Sequence, residues 1–330
     1  MPPVFPASYS TLDPAALTDL VTEKYGISDV RCQFLLRGVG DTYVIESAAG
    51  SFILRVYRSS QRSPEQVGAE IQLLVELKRR EVPVAYPISD LSGALIQTLD
   101  AIEGPRQAVL FSYAPGQPAL RLNEKQLRET GRQMARFHEV SSTIRLDGNR
   151  WSFDLETTLF KPLEILKPAF REDPEGYVWT QQAAARVVEK LSQIGTAGFS
   201  SGYCHFDFLP KNFHFEGDSV TFFDFDFLGY GWLVNDIMTF WSHLCWDVHF
   251  KRMSQEEADE AYGIFLDAYR EVRALSEKEL EAVPWLALGF WLFYMRFHTT
   301  HDQFYPFVQP GHLKLRVAMM RQLMERYWQP

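Results

Sequence analysis

His205-Phe206-Asp207-Phe208-Leu209-Pro210-Lys211-Asn212, followed by Phe222-Phe223-Asp224-Phe225-Asp226, is the stretch on which the reading of this 330-residue chain turns. An aspartate, an asparagine five residues on, and a second aspartate after an apolar, strand-like run are the polar groups that phosphoryl transfer requires. One carboxylate receives or orients a hydroxyl proton, while an amide oxygen and another carboxylate hold Mg²⁺ on nucleotide phosphates. The segments Phe213-His214-Phe215-Glu216-Gly217-Asp218 and Val220-Thr221-Phe222-Phe223 read as two short strands around a turn. Such a hairpin returns Asp224 towards Asn212. Asp224 and Asp226 stand between phenylalanines in a run that otherwise reads as buried, where a bare carboxylate is costly unless paired, hydrogen-bonded or bound to metal. The plain alternative is that these are ordinary loop residues.

Working outward, 330 residues exceed one ordinary core and imply two domains or lobes. Apolar content of 46% with 23% charged residues is that of a globular chain. A net charge of −9 argues against DNA or RNA as partner and is compatible with a cationic substrate. Cys32, Cys204 and Cys245 have no metal-ligand spacing and cannot all pair, as a reducing compartment permits. The first residues lack a basic region followed by an apolar stretch, so no signal peptide is expected. The uncharged run Val283 to Met295 is too short to span a bilayer. The expectation is a cytoplasmic protein without membrane partners.

Up to about Leu110 the chain is rich in strand signals. Asp13-Pro14 opens a helix that Gly26 ends. Val30–Leu36, Tyr43–Ser47 and Phe52–Tyr57 read as sequential antiparallel strands, and Val82–Ile88, Ala94–Leu99 and Gln107–Tyr113 as further ones. Ser63-Pro64-Glu65-Gln66 is a capping box opening a helix to about Arg80. Beyond Pro115-Gly116-Gln117-Pro118 helices dominate: Asn123 to about Val140, 154–170, 178–195 and most of 234–328. The expected organisation is a nucleotide-binding lobe over 1–113, a hinge over 114–118 and a helical lobe over 119–330. In the second helix Val67, Ile71, Leu74, Val75 and Leu77 form one apolar stripe with Glu70 inside it. A carboxylate there wants a cation, and Arg55, alone in Phe52-Ile53-Leu54-Arg55-Val56-Tyr57, is the expected donor. The alternative is a stripe-edge glutamate facing water.

These residues carry a resemblance. The chain is similar to the aminoglycoside phosphotransferase and choline kinase group, relatives of protein kinases, and looks nearest to homoserine kinase type II and the bacterial stress-response kinases. The likeness runs from about Val30 to Asp236. It implies an α+β, protein-kinase-like two-lobe fold, a small antiparallel-sheet lobe before a larger helical one, and a kinase that moves the γ-phosphate of ATP to a hydroxyl with Mg²⁺. The family's His-Gly-Asp-x₄-Asn loop implies a catalytic role for Asp207 and a metal-binding role for Asn212, and its later aspartate implies the second metal ligand at Asp224. Arg55 and Glu70 fall where relatives keep a phosphate-contacting cation and its acidic partner. Gly38-Val39-Gly40-Asp41 occupies the place of the nucleotide loop, although a plain hairpin turn explains Gly38 and Gly40 equally well. Ser112 and Ala114 in Phe111-Ser112-Tyr113-Ala114 resemble the hinge, implying adenine contacts from the Ser112 carbonyl and the Ala114 amide. Asp236 matches a structural aspartate, and His138 and His205 read as structural. Two departures stand out: Phe206 replaces the family's glycine, which would strain a left-handed backbone, and Arg55 replaces lysine.

The resemblance leaves the acceptor open among aminoglycosides, homoserine, choline-like amines and sugars, and leaves ATP against GTP open. In the helical lobe, Asp226, Trp241, Asp247, Arg296 and Asp302, with His243, His298 and His301, are candidates to line an acceptor pocket. The plainer reading of Arg296, His298, His301 and Asp302 is a helix leaving the core and meeting water. Two other functions remain: a protein Ser/Thr kinase of the stress-response type, and a nucleotide-binding module that Phe206 has silenced.

Overall fold

Asp13 accepts the Ala15 amide proton and Pro14 takes the first helical position, so α1 (Pro14–Tyr25) starts where the cap dictates and stops at left-handed Gly26. This structure, a computed structural model, describes residues 5–119 and 121–328. The outermost residues of the expected lobes, 1–4 and 329–330, and position 120 lie outside them. The chain divides into two compact units: Met1–Gln117 with Arg145–Arg150 and Thr221–Asp226, and the remainder.

The first unit is built on β1 (Arg31–Arg37), β2 (Asp41–Ser47), β3 (Gly50–Val56), β4 (Gln97–Ala101) and β5 (Gly104–Ser112). They form one antiparallel sheet in the order β1-β2-β3-β5-β4. Leu17, Val21 and Tyr25 of α1 pack with Cys32, Tyr43, Ile45, Leu54, Val56, Ala108 and Leu110 of the sheet. Alternate residues of β2 and β3 point into this core, which is why those strands read clearly as period-two runs. The helix α2 (Pro64–Arg79) opens on the Ser63–Gln66 capping box and buries Val67, Glu70, Ile71, Leu74 and Leu77. Val75, placed in its apolar stripe, is instead exposed.

Residues 82–88 correct the expected strand. Pro83 and Pro87 each remove a ladder donor, and only isolated bridges remain, Val84 to Phe222 and Pro87 to Phe111. The Pro83 carbonyl accepts from the Phe222 amide (2.8 Å), and the Ala85 amide donates to the Phe222 carbonyl (2.8 Å). These bonds hold Thr221–Asp226 within the sheet-bearing unit, which the sequence had assigned to the helical lobe.

The second unit begins with α3 (Glu124–Ser141), β6 (Trp151–Phe153), α4 (Lys161–Leu166) and α5 (Pro174–Ile194). The expected helix over 154–170 is broken into a π turn, α4 and a 3₁₀ turn, with Pro162 and Pro168 each opening a new segment. Then follow β7 (Ser201–Cys204), β8 (Phe213–Glu216), β9 (Ser219–Phe222), which runs on into the first unit, and β10 (Gly229–Trp232). The hairpin expected before Asp224 is β8 and β9. A small sheet in the order β6-β10-β7 sits under the loop that leaves β7. The chain ends in α6 (Val234–His249), α7 (Gln255–Arg270), α8 (Glu277–Thr299) and α9 (Pro310–Tyr327). Helices α3 and α7 cross at Gly131, where a Cβ would lie 2.3 Å from the Phe265 carbonyl oxygen. Among the described residues no helix is long and apolar enough to cross a membrane.

Candidate active site

The loop between β7 and β8 is anchored from beneath by Asp236, in the first turn of α6. Its Oδ1 accepts the Phe206 amide proton (2.7 Å) and its Oδ2 that of His205 (2.9 Å). Oδ2 also meets His138 Nε2 (3.1 Å), and Nδ1 of that ring meets the Tyr269 hydroxyl (2.8 Å). All of these residues are buried. Burial holds the His138 pKa below the ordinary histidine value against the pull of Asp236, so the ring is a neutral brace tying α3, α6 and α7 to the loop.

Above this anchor the chain is tightly turned. His205 Nδ1 accepts the Asp207 amide (3.3 Å), the Leu209 amide donates to the Asp207 carbonyl (2.8 Å), and the Asn212 amide donates to the Leu209 carbonyl (2.8 Å). The turn requires a left-handed backbone at Phe206, with φ at 58°. Phenylalanine is strained there, but its ring is fully buried and stacks on Phe153 at 3.6 Å, with Phe290 and Phe293 against its edges. The aromatic packing thus opposes the strain.

Asp207 is 2% exposed. Its Oδ2 accepts from Asn212 Nδ2 (2.9 Å) and pairs with Lys211 Nζ (2.8 Å). Its Oδ1 is buried with no hydrogen-bond partner. With the Asn212 nitrogen committed to Asp207, the amide oxygen of Asn212 is the atom left for a cation. The Lys211–Asp207 pair has no signal in the sequence, because the chain between them is a loop and not an α-helix.

In the first unit the acidic residues gather around arginines. Arg55 Nη1 pairs with Asp224 Oδ1 (2.7 Å) and Nη2 with Asp226 Oδ2 (3.2 Å). Arg62 Nε donates to Asp226 Oδ1 (2.8 Å), and Arg150 Nη2 to the Phe225 (3.2 Å) and Asp226 (2.5 Å) carbonyls. The expected Arg55–Glu70 pair is therefore corrected. Asp224 and Asp226 arrive from the far end of the chain and take the guanidinium, leaving Glu70 a more distant charge on it. Glu70 instead accepts from the Tyr57 hydroxyl (3.1 Å) and lies 3.8 Å from Arg150. Burial raises the Glu70 pKa above the usual carboxylate range, opposed by Arg55 and Arg150. Arg62 and Arg150 carried no sequence signal, since their partners lie 164 and about 75 positions away.

Gly38 and Gly40 form the β1–β2 turn, the Gly38 amide donating to the Gly40 carbonyl (2.8 Å). A Cβ on Gly40 would lie 2.7 Å from the Val56 carbonyl oxygen. Ser112 closes β5, its amide bonded to the Tyr86 carbonyl, and Ala114 is buried just beyond it. The acceptor candidates do not form one group. Asp226 is locked between Arg55 and Arg62, so as a pocket-lining residue it is corrected. Trp241 packs on Tyr327, and Asp247 pairs with His243 (3.4 Å) and Arg252 (3.2 Å). Asp302 is exposed beside buried His301 (3.2 Å). Arg296 keeps a buried Nε without a hydrogen bond.

A small antiparallel sheet followed by a helical region with an Asp-x₄-Asn loop is the architecture of a protein-kinase-like phosphotransferase. Residues 31–275 match the model of the phosphotransferase enzyme family, and the chain belongs to that family. An uncharacterized protein of Deinococcus radiodurans is 35% identical over 281 residues, 85% of this chain and 80% of its own length. A homoserine kinase of Caulobacter sp. is 30% identical over 258 residues, 75% of this chain and 73% of its own. The solved structure of a microcompartment-associated aminopropanol kinase is similar in fold, with a TM-score of 0.75 at 21% identity, covering 95% of this chain and 97% of that one. The protein is a phosphotransferase of the kinase type.

Proposed function

We propose that this enzyme transfers the γ-phosphoryl group of ATP to a hydroxyl of a small molecule with Mg²⁺. The observation that carries the reading is the Asp207 carboxylate, one oxygen held by Asn212 and Lys211 and the other buried without a partner. An acceptor hydroxyl would fill that vacant bond, and Asp207 would orient it and take its proton as the oxygen becomes bonded to phosphorus. Buried acceptor oxygens are ordinarily satisfied, and an arriving hydroxyl would satisfy this one.

The donor set fits the proposed metal. Magnesium prefers hard oxygen ligands and is held by one or two carboxylates together with substrate phosphates, and the Asn212 amide oxygen and the Asp224 carboxylate, each a hard oxygen donor, are the groups that would hold it. Bound, it would neutralise charge on the nucleotide phosphates. Arg55, aligned by Asp224 and Asp226 rather than by Glu70, would steady those phosphates through its planar fork. Glu70 would act at one remove, orienting Tyr57 and Arg150. The Gly38–Gly40 turn would cover the phosphates, and the Ser112 carbonyl and Ala114 amide would pair with adenine.

The named activities of relatives, on homoserine and aminopropanol, favour a small hydroxyl acceptor that also bears an amine. Coupled ADP release with ATP, Mg²⁺ and a panel of amino alcohols, hydroxy amino acids, sugars and aminoglycosides tests this. Acceptor-dependent release is expected from the intact enzyme. Asp207→Ala is expected to lower kcat by about a hundred- to ten-thousandfold with little change in KM for ATP. Near-full turnover by that variant would remove Asp207 from the chemistry.

A further inference from the structure

Two donors in the second unit, His298 and Arg316, have no matching carboxylate among the described residues, and Lys211 is close enough to act on the His298 ring. Lys211 stands on the catalytic loop, paired to Asp207. His298, near the end of α8, packs its ring against Phe304 (5.4 Å) and Phe307 (5.2 Å). Its Nδ1 is buried with no hydrogen-bond partner. Arg316, on α9, lies over one of the same two rings, its guanidinium carbon 5.7 Å from the Phe307 ring centre. Among the described residues Arg316 has no acidic partner, although it is half-buried. Burial lowers its pKa with no carboxylate opposing. Burial likewise pushes the His298 pKa down to about 3, and Arg316 and Lys211 are the two charges that act on the ring. Asp207 pairs with Lys211, and Asp302 with His301. A buried imidazole nitrogen without a hydrogen bond is costly unless something arrives to meet it, and a half-buried guanidinium with no acid beside it is open to an anion.

We propose that His298 and Arg316, with Lys211 at the edge nearest Asp207, form an acceptor subsite that binds an anionic group, foremost a carboxylate, on the molecule whose hydroxyl is phosphorylated. This rests on the reading of Asp207 as the residue that receives that hydroxyl. It reverses what overall charge suggested, because a chain of net charge −9 presents a locally positive patch here. Arginine suits the role, since its fork meets both carboxylate oxygens. An aminoglycoside, which offers only cations, would be repelled. The other source of the same chemistry is a nucleotide phosphate, and kinetics separate the two.

The test uses matched acceptors with and without the carboxylate: homoserine and 3-aminopropan-1-ol, serine and ethanolamine, glycerate and ethylene glycol. Calorimetric binding to the full chain with a non-hydrolysable ATP analogue and Mg²⁺ is read beside ADP release. The carboxylated member of a pair is expected to bind and turn over at least about tenfold better, the usual reach of one charge-assisted hydrogen bond. Arg316→Met should erase most of that preference and Arg316→Lys should restore part of it. His298→Phe, which keeps the aromatic packing, should weaken it independently. Binding that favours the carboxylate-free members, equal losses on both members of a pair, or an effect confined to KM for ATP would each overturn the subsite. ADP release without carboxylate preference sinks the subsite and spares the phosphotransferase reading. Carboxylate binding that Arg316→Met abolishes, with no turnover of any acceptor, does the reverse.

Discussion

Phe206 shows two opposed energies meeting at one residue. Its left-handed backbone (φ 58°) costs about 1–3 kcal/mol for a bulky side chain. Its ring is wholly buried on Phe153, and truncating such a ring to a small side chain costs about 3–5 kcal/mol. Packing therefore wins, and phenylalanine is tolerated where a glycine is usual. The order of stability follows: wild type above Phe206→Gly, and Phe206→Gly above Phe206→Ala by about 1 kcal/mol, because alanine loses the ring yet keeps the strain. Urea denaturation of the three proteins checks it. A glycine variant at or above wild type would mean that the stack contributes little. The substitution was visible in the sequence, and so was the strain it implied. The compensation was not, because Phe153, Phe290 and Phe293 lie 53 to 87 residues away, beyond the reach of any local pattern. Asp224 adopts a similar backbone (φ 63°), a conformation aspartate enters more readily.

At the scale of elements, legibility followed locality. Helix starts at Asp13, Ser63 and Asn123 were readable because cap and capped amide are two or three residues apart. The strand over 82–88 was misread because its apolar residues alternate correctly while its prolines forbid the ladder. What takes its place leads into a turn fixed by Asp90. The Asp90 carboxylate accepts from Ser92 Oγ (2.7 Å), the Ser92 (2.9 Å) and Ala94 (2.8 Å) amides, and Gln97 Nε2 (3.0 Å), which opens β4. The Ser92 hydroxyl is the largest of the influences that hold its pKa down to about 2. The sign follows directly. A carboxylate whose folded pKa lies below its unfolded value of about 3.9 adds stability above that value and loses it as pH falls towards 2. Asp90→Asn is therefore expected to lower the urea midpoint at pH 6, with the gap to wild type narrowing between pH 5 and pH 3. A gap that stays constant with pH would show that the charge on Asp90 does not hold the turn.

For the whole molecule, a sheet-rich first part and a helical remainder were legible because strand signals give way to helix signals along the chain. The return of Arg145–Arg150 and Thr221–Asp226 to the first unit was not legible, since it depends on ion pairs between residues far apart in sequence. Those returning segments supply what the first 117 residues lack. Asp224 and Asp226 answer Arg55, Asp226 answers Arg62, and Arg150 approaches Glu70. Removing one partner of a buried pair costs about 3–5 kcal/mol, because the remaining charge is left uncompensated. Loss of the partners of Arg55, Arg62 and Glu70 together then matches the whole stability of an ordinary domain, about 5–15 kcal/mol. A fragment ending at Gln117 is accordingly expected to be unfolded in isolation, although it contains every strand of the five-stranded sheet and its covering helix. Far-UV circular dichroism with a urea titration reads this. A cooperative transition in the fragment near the midpoint of the intact chain would show that the sheet stands without its late-arriving acids.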